Sequence, residues 1–332
     1  MPFLLDKSCI SLEKHPKPYY SPGDTVSGKV SLITDKPLSV RFIKISWAGE
    51  MTTSLPELSE PHTKTFFARS KVVWQSQDGM NVLPIGKHVF SFSFKLPEDC
   101  EPSFYGAFGA IHYSIRVEVN RPWIKRDLAV DKTIFVTRQY NVKEKAADMF
   151  LGARFGNHRV AGTIFKDGQF SMKISLPTRA FTPGETIFAT VSIDNASSKP
   201  IRSIQAQLIQ QSHYHHRPTH ACGISECRSC PLDSKNRAEA EKVLQSVDFG
   251  YEIAPFSRKS FNVKIDVPVN ITPIFENSMI SIGYLLSFKA KNGSLSGNKL
   301  ECNARIAIGS RVEKPKIQAP PPPYQKEWTK FE

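Results

Sequence analysis

Apolar and polar side chains alternate along most of this chain. Val26-Ser27-Gly28-Lys29-Val30-Ser31-Leu32 and Phe90-Ser91-Phe92-Ser93-Phe94-Lys95-Leu96 place an apolar residue at every second position, Gly28 apart, and Ile111 to Val119 does the same. Successive side chains on a strand point to opposite faces, so this period predicts strands with one buried and one wet face. Pro-Gly, Asp-Gly and Leu-Pro pairs bound them and turn the chain. Pro22-Gly23 and Pro183-Gly184 fit tight turns, with Pro fixing φ at the second position and Gly accepting positive φ at the third. Glu50 through Glu60 reads as a hairpin connection. Many short antiparallel strands and few helical stripes predict an all-β protein of the sandwich type.

The pattern occurs twice. Tyr20-Ser21-Pro22-Gly23-Asp24-Thr25-Val26 returns as Phe181-Thr182-Pro183-Gly184-Glu185-Thr186-Ile187, an offset of 161 (181 − 20). Phe90-x-Phe92-x-Phe94-x-Leu96-Pro97 returns as Phe261-x-Val263-x-Ile265-x-Val267-Pro268, an offset of 171 (261 − 90). At that second offset Pro102 matches Pro273, Phe104 matches Phe275, Ile111 matches Ile282 and Tyr113 matches Tyr284. A repeat of about 165 residues is too long for a solenoid unit and predicts tandem domains of one fold. The expected organisation is a first sandwich over 1–142, a connector over 143–159, a second sandwich over 160–311, and a disordered proline-rich tail over 312–332. The connector loses alternation, with a short helical turn expected around Ala146 to Leu151.

Length and composition fit that division. The chain has 332 residues, 40% hydrophobic with 22 Phe, enough for each half to bury its own core. No apolar stretch is long enough to span a bilayer as a helix, and no basic, then apolar leader opens the chain. The expectation is a soluble, intracellular protein. The net charge of +13 favours anionic lipid headgroups or acidic protein segments as partners. Lys and Arg are spread over both halves without a helix-turn-helix, zinc-finger or RNA-binding signature, which argues against nucleic acid.

One segment concentrates metal-type ligands. His213, His215, His216 and His220 precede Cys222, Cys227 and Cys230. Zinc takes four tetrahedral N/S ligands, and Cys227-x-x-Cys230 is a usable pair. His220 and Cys222, or two of the earlier histidines, would complete the set. A loop with exposed thiols and, under oxidising conditions, a disulfide are the other readings. Cys9, Cys100 and Cys302 read as separate core or surface thiols. No phosphate loop, nucleophile elbow or inviting pair of acids is present, so no catalytic residues are assigned and no organic cofactor is expected.

At the other end, Pro320-Pro321-Pro322-Pro323-Tyr324 contains Pro321-Pro322-x-Tyr324, a PPxY motif. Proline fixes φ near −65°, so the segment favours polyproline II and loses little entropy on binding. Three residues per turn put Pro321 and Tyr324 on one face, the arrangement that WW domains read with an aromatic groove and a tyrosine pocket. From Arg311 to Pro321 the connection can extend roughly 30 Å. A solvated tail without a reader, or a weak SH3 ligand through Pro320-x-x-Pro323, are the blander readings.

The chain resembles the α-arrestins, the arrestin-domain-containing proteins. The resemblance rests on Tyr20-Ser21-x-Gly23-Asp24-x-Val26-x-Gly28-x-Val30, on Gly86-x-His88-x-Phe90-x-Phe92-x-Phe94-x-Leu96-Pro97, and on Phe104, Gly109, Tyr113 and Arg121-Pro122-Trp123. The second half carries Phe181-x-Pro183-Gly184-Glu185 and Pro268 before Ile282-x-Tyr284. It covers residues 5 to 310. It implies two tandem arrestin-like β-sandwich domains and a non-catalytic trafficking adaptor at the plasma membrane and endosomes. Such an adaptor would bind a receptor or transporter cargo and recruit a WW-domain HECT-type ubiquitin ligase through Pro321, Pro322, Pro323 and Tyr324. The alternative it implies is a structural subunit of an endosomal sorting coat, like the arrestin-fold part of retromer. The buried, opposed charges with which visual and β-type arrestins sense phosphate cannot be located in this sequence.

Overall fold

The computed structural model describes residues 9–13, 19–76, 81–122, 126–141, 147–160, 167–221, 230–292 and 299–309. They build two lobes of strands. The first holds β1 (Ile10–Leu12), β2 (Thr25–Thr34), β3 (Leu38–Ser39), β4 (Phe42–Thr53), β5 (His62–Gln75), β6 (Val82–Leu83), β7 (Gly86–Lys95), β8 (Phe104–Tyr105), β9 (Gly109–Asn120) and β10 (Leu128–Ile134). The second holds β11 (Ala153–Val160), β12 (Gln169–Leu176), β13 (Ala180–Phe181), β14 (Thr186–Asn195), β15 (Ile201–His215), β16 (Arg237–Phe249), β17 (Ser257–Asp266), β18 (Phe275–Glu276), β19 (Ile280–Asn292) and β20 (Lys299–Ile308). A 3₁₀ turn at Ala147–Phe150 lies between them.

Each lobe has two sheets. In the first, β1-β2-β7 faces β10-β9-β4-β5, with β8 paired to β9 and a small β3-β6 ribbon. In the second, β11-β12-β14-β17 faces β13-β20-β19-β15-β16, with β18 on β19. The alternation dictates the faces: Val26, Val30 and Leu32 are buried on β2 while Thr25, Lys29 and Ile33 are exposed. Ile111, Tyr113, Ile115, Val117 and Val119 line the core along central β9. Each such apolar side chain stabilises the fold by about 1.5–3 kcal/mol relative to remaining in water.

The repeat is structural as well as textual. Gly23 and Gly184 take φ of 81° and 80°, positions a side chain rarely adopts. In both turns a carboxylate closes the loop: Ser21 N–H donates to Asp24 Oδ2 at 2.7 Å, and Thr182 N–H to Glu185 Oε2 at 3.0 Å. The residue before each turn pairs in parallel with the lobe's last strand segment, Tyr20 with Val136 and Phe181 with Ile308. Tyr113 Oη donates to the Glu101 carbonyl at 2.6 Å, and Tyr284 Oη donates to the Thr272 carbonyl. Both pairs span twelve residues.

Two boundaries differ from the sequence reading. Glu50 to Thr53 continue β4, so the connection to β5 begins after Thr53. The stretch read as a connector over 143–159 contains the 3₁₀ turn and then most of β11, which pairs with β12 along its whole length. β11 is an edge strand with nearly all its side chains exposed, so it carries no alternation to read.

One apolar cluster runs through both lobes, from Ile10 to Ile308. A smaller one packs Tyr140, Met149, Phe150 and Ile274 around Ala180 and Ala307 beside the 3₁₀ turn. Among the described residues no Asp, Glu, Lys or Arg is buried. No helix among them is long and apolar enough to cross a membrane.

Candidate functional site

The lobes meet at the end of β15. Ser212, His213, Tyr214 and His215 are all buried there, so both faces of the strand are covered. Tyr214 points to the first lobe, edge-on to Phe108 at 5.7 Å between ring centroids. Gly106 makes this approach feasible, because a Cβ at that position would lie 2.0 Å from the Tyr214 hydroxyl. Phe104 and Phe275 pack edge to face at 6.0 Å across the same seam. Thr53, fully buried, donates to the His216 carbonyl at 3.0 Å.

The opposite face of β15 carries His213 and His215. Two residues apart on a strand, they share a face, and their Nε2 atoms stand 2.9 Å apart. Cys230, buried just before β16, places its Sγ 3.4 Å from His215 Nε2 and 3.8 Å from His220 Nε2. Arg237 holds the Cys230 carbonyl at 3.2 Å. Candidate ligand atoms of His213, His215 and Cys230 all lie within 4.8 Å of one another. Burial, aided by the neighbouring basic groups, pushes the His213 imidazole down to about 4, and burial also lowers His215. Both rings are therefore neutral at pH 7 and present lone pairs.

Of the residues expected to bind metal, His220 and Cys230 come together here, while Cys222 and Cys227 lie outside the described residues. The histidines that join them are His213 and His215, which belong to a strand and not to a loop. Their i, i+2 spacing was the available signal. His216 turns away and sits beside His62 at 5.7 Å. Among the described cysteines, Cys9, Cys100, Cys230 and Cys302 are not in disulfides. Burial holds Cys100 and Cys302 up at about 11, which leaves them inert as nucleophiles near neutrality. Pro321, Pro322, Pro323 and Tyr324 lie outside the described residues.

Residues 9–143 match the family model described as Arrestin (or S-antigen), N-terminal domain, and residues 166–312 match Arrestin (or S-antigen), C-terminal domain. Arrestin domain-containing protein 17 of Caenorhabditis elegans is 27% identical over 220 residues, covering 61% of this chain and 51% of the relative. Human Arrestin domain-containing protein 4 is 26% identical over 205 residues, covering 57% and 48%. Arrestin domain-containing protein 15 of C. elegans is 25% identical over 272 residues, covering 75% and 65%. The chain spans about half the length of the curated relatives it matches.

Proposed function

We propose, from the premise that this chain belongs to the arrestin family as an arrestin-domain-containing protein, that it is a non-catalytic trafficking adaptor. The two lobes hold a membrane receptor or transporter, and Pro321-Pro322-Pro323-Tyr324 brings a WW-domain ubiquitin ligase of the HECT type to it. One observation carries this reading: a PPxY motif follows directly on a chain that matches both arrestin domains. Joining the two binding functions in one molecule makes ubiquitin transfer to the cargo effectively intramolecular, so raised local concentration supplies the activity. The same reading places the protein on the cytoplasmic side of the plasma membrane and endosomes, where its positive charge suits anionic headgroups.

A pull-down with WW domains of such a ligase tests the tail. Wild-type chain should be captured, and Pro322→Ala with Tyr324→Ala should lose capture at least tenfold while circular dichroism stays unchanged. Equal capture of both forms would refute the assignment. Phosphorylated Tyr324 should behave like the double variant, because charge and bulk then enter where an aromatic ring must fit.

A further inference from the structure

We propose that His213, His215, His220 and Cys230 form a zinc site that ties His220 and Cys230 to the end of β15, where the lobes meet. Nothing in the adaptor reading requires it.

The donor set has the right chemistry, and three of its six edges are close to tetrahedral. The spread among His213, His215 and Cys230 reaches 4.8 Å, so a bound ion would draw these groups inward. Zinc binds imidazole at about 2.0–2.1 Å and thiolate at about 2.3 Å, so a tetrahedron has N···N edges of about 3.3 Å and N···S edges of about 3.6 Å. The observed separations are 2.9 Å for His213–His215, 3.4 Å for Cys230–His215 and 3.8 Å for Cys230–His220. His213, His215 and Cys230 are buried, which suits a closed structural site.

Hydrogen bookkeeping points the same way. His215 Nδ1 lies 3.1 Å from the Ser278 carbonyl and 3.0 Å from the Thr219 hydroxyl. The hydroxyl can donate or accept but the carbonyl can only accept, so a proton on Nδ1 satisfies both and leaves Nε2 bare. If His213 then donates from Nε2 to that atom, its own Nδ1 is left bare. That Nδ1 is buried without a hydrogen-bond partner and faces Glu239 Oε1 at 3.6 Å, a carboxylate against a lone pair. Moving the proton to His213 Nδ1 suits Glu239 but sets two bare Nε2 atoms 2.9 Å apart. A cation between the rings resolves both arrangements. With it, Ser278 O and Glu239 become the outer partners that orient metal-bound histidines. A proton in that place would leave Cys230 and His220 without a role.

The test uses full-length protein without a histidine tag, purified without chelator. Elemental analysis should find about one zinc ion per chain. Replacement by Co²⁺ should give intense four-coordinate d–d bands and a thiolate-to-cobalt charge-transfer band, which Cys230→Ser should abolish. Glu239→Gln should weaken metal affinity about 10–100-fold in competition with a chromophoric chelator. Glu241→Gln, whose carboxylate engages Gln211, should leave it unchanged. Wild-type protein with less than about a tenth of an ion per chain and no cobalt spectrum would overturn the proposal, whatever the variants do. Retention of the charge-transfer band in Cys230→Ser would overturn it too, by assigning the sulfur ligand to another cysteine.

Discussion

Tyr113 and Tyr284 each send a hydroxyl from the core to a carbonyl twelve residues back, Glu101 and Thr272. Tyr113→Phe and Tyr284→Phe should each lower stability by about 0.5–1.5 kcal/mol, because a half-buried carbonyl loses its donor while shape is kept. Urea denaturation with an unchanged slope checks this. Gly106→Val should be worse than its helix or strand propensity suggests, about 1–3 kcal/mol of overpacking against Tyr214, seen as a lower melting temperature. The equivalence of the two tyrosines was legible from their shared offset. Their acceptors were not, since a carbonyl partner leaves no mark on the residue that supplies it. Nor was the closeness of Gly106 to Tyr214, which joins positions far apart in the chain.

Among the elements, those that separate a core from water could be read, even at sheet ends such as β7 and β17, and those largely exposed on both faces could not. On β14, Ile187, Ala189, Val191 and Ile193 are buried while Phe188 is exposed on the other face. Ile193→Ala should cost about 2–5 kcal/mol, whereas Phe188→Ala on the same strand should cost below about 1 kcal/mol. Similar midpoint shifts in denaturant would show that the faces are misassigned. β5, β11 and β16, also at sheet ends, escape this logic because they are largely exposed and dotted with charge. Lys64, Arg69 and Lys71 on β5, and Glu239, Glu241 and Lys242 on β16, discourage pairing with another chain. The end of β15 fails the period-two pattern for the opposite reason. Both its faces are covered, and a run of buried Ser-His-Tyr-His looks from sequence like a polar loop.

At the scale of the molecule, duplication with a changed offset sufficed to predict two lobes of one fold. The seam between them was beyond reach, because several of its contacts are not between equivalent residues: Phe108 meets Tyr214, and Thr53 meets the backbone of His216. Among the described residues, Phe104 and Phe275, which are equivalents in the repeat, do touch each other across it, and Gly109 lies close against its own equivalent, Ile280. A double-mutant cycle with Phe104→Ala and Phe275→Ala should give a coupling energy of about 0.5–1.5 kcal/mol. A cycle that closes at zero would mean the lobes are energetically separate. The metal-type cluster lies on the far side of β15 from Tyr214, so the strand end that carries it also carries the junction.

The parallel pairing of Ala180–Phe181 with Ala307–Ile308 has a mechanical consequence. The incoming strand leads back toward the first lobe and the outgoing one leads on to the terminus. Tension applied between those two directions loads their hydrogen bonds in shear, all at once, with Gly309 N–H to the Phe181 carbonyl as a further rivet. A ligand tugging on the end of the chain would thus strain the joint as a unit before any strand could peel.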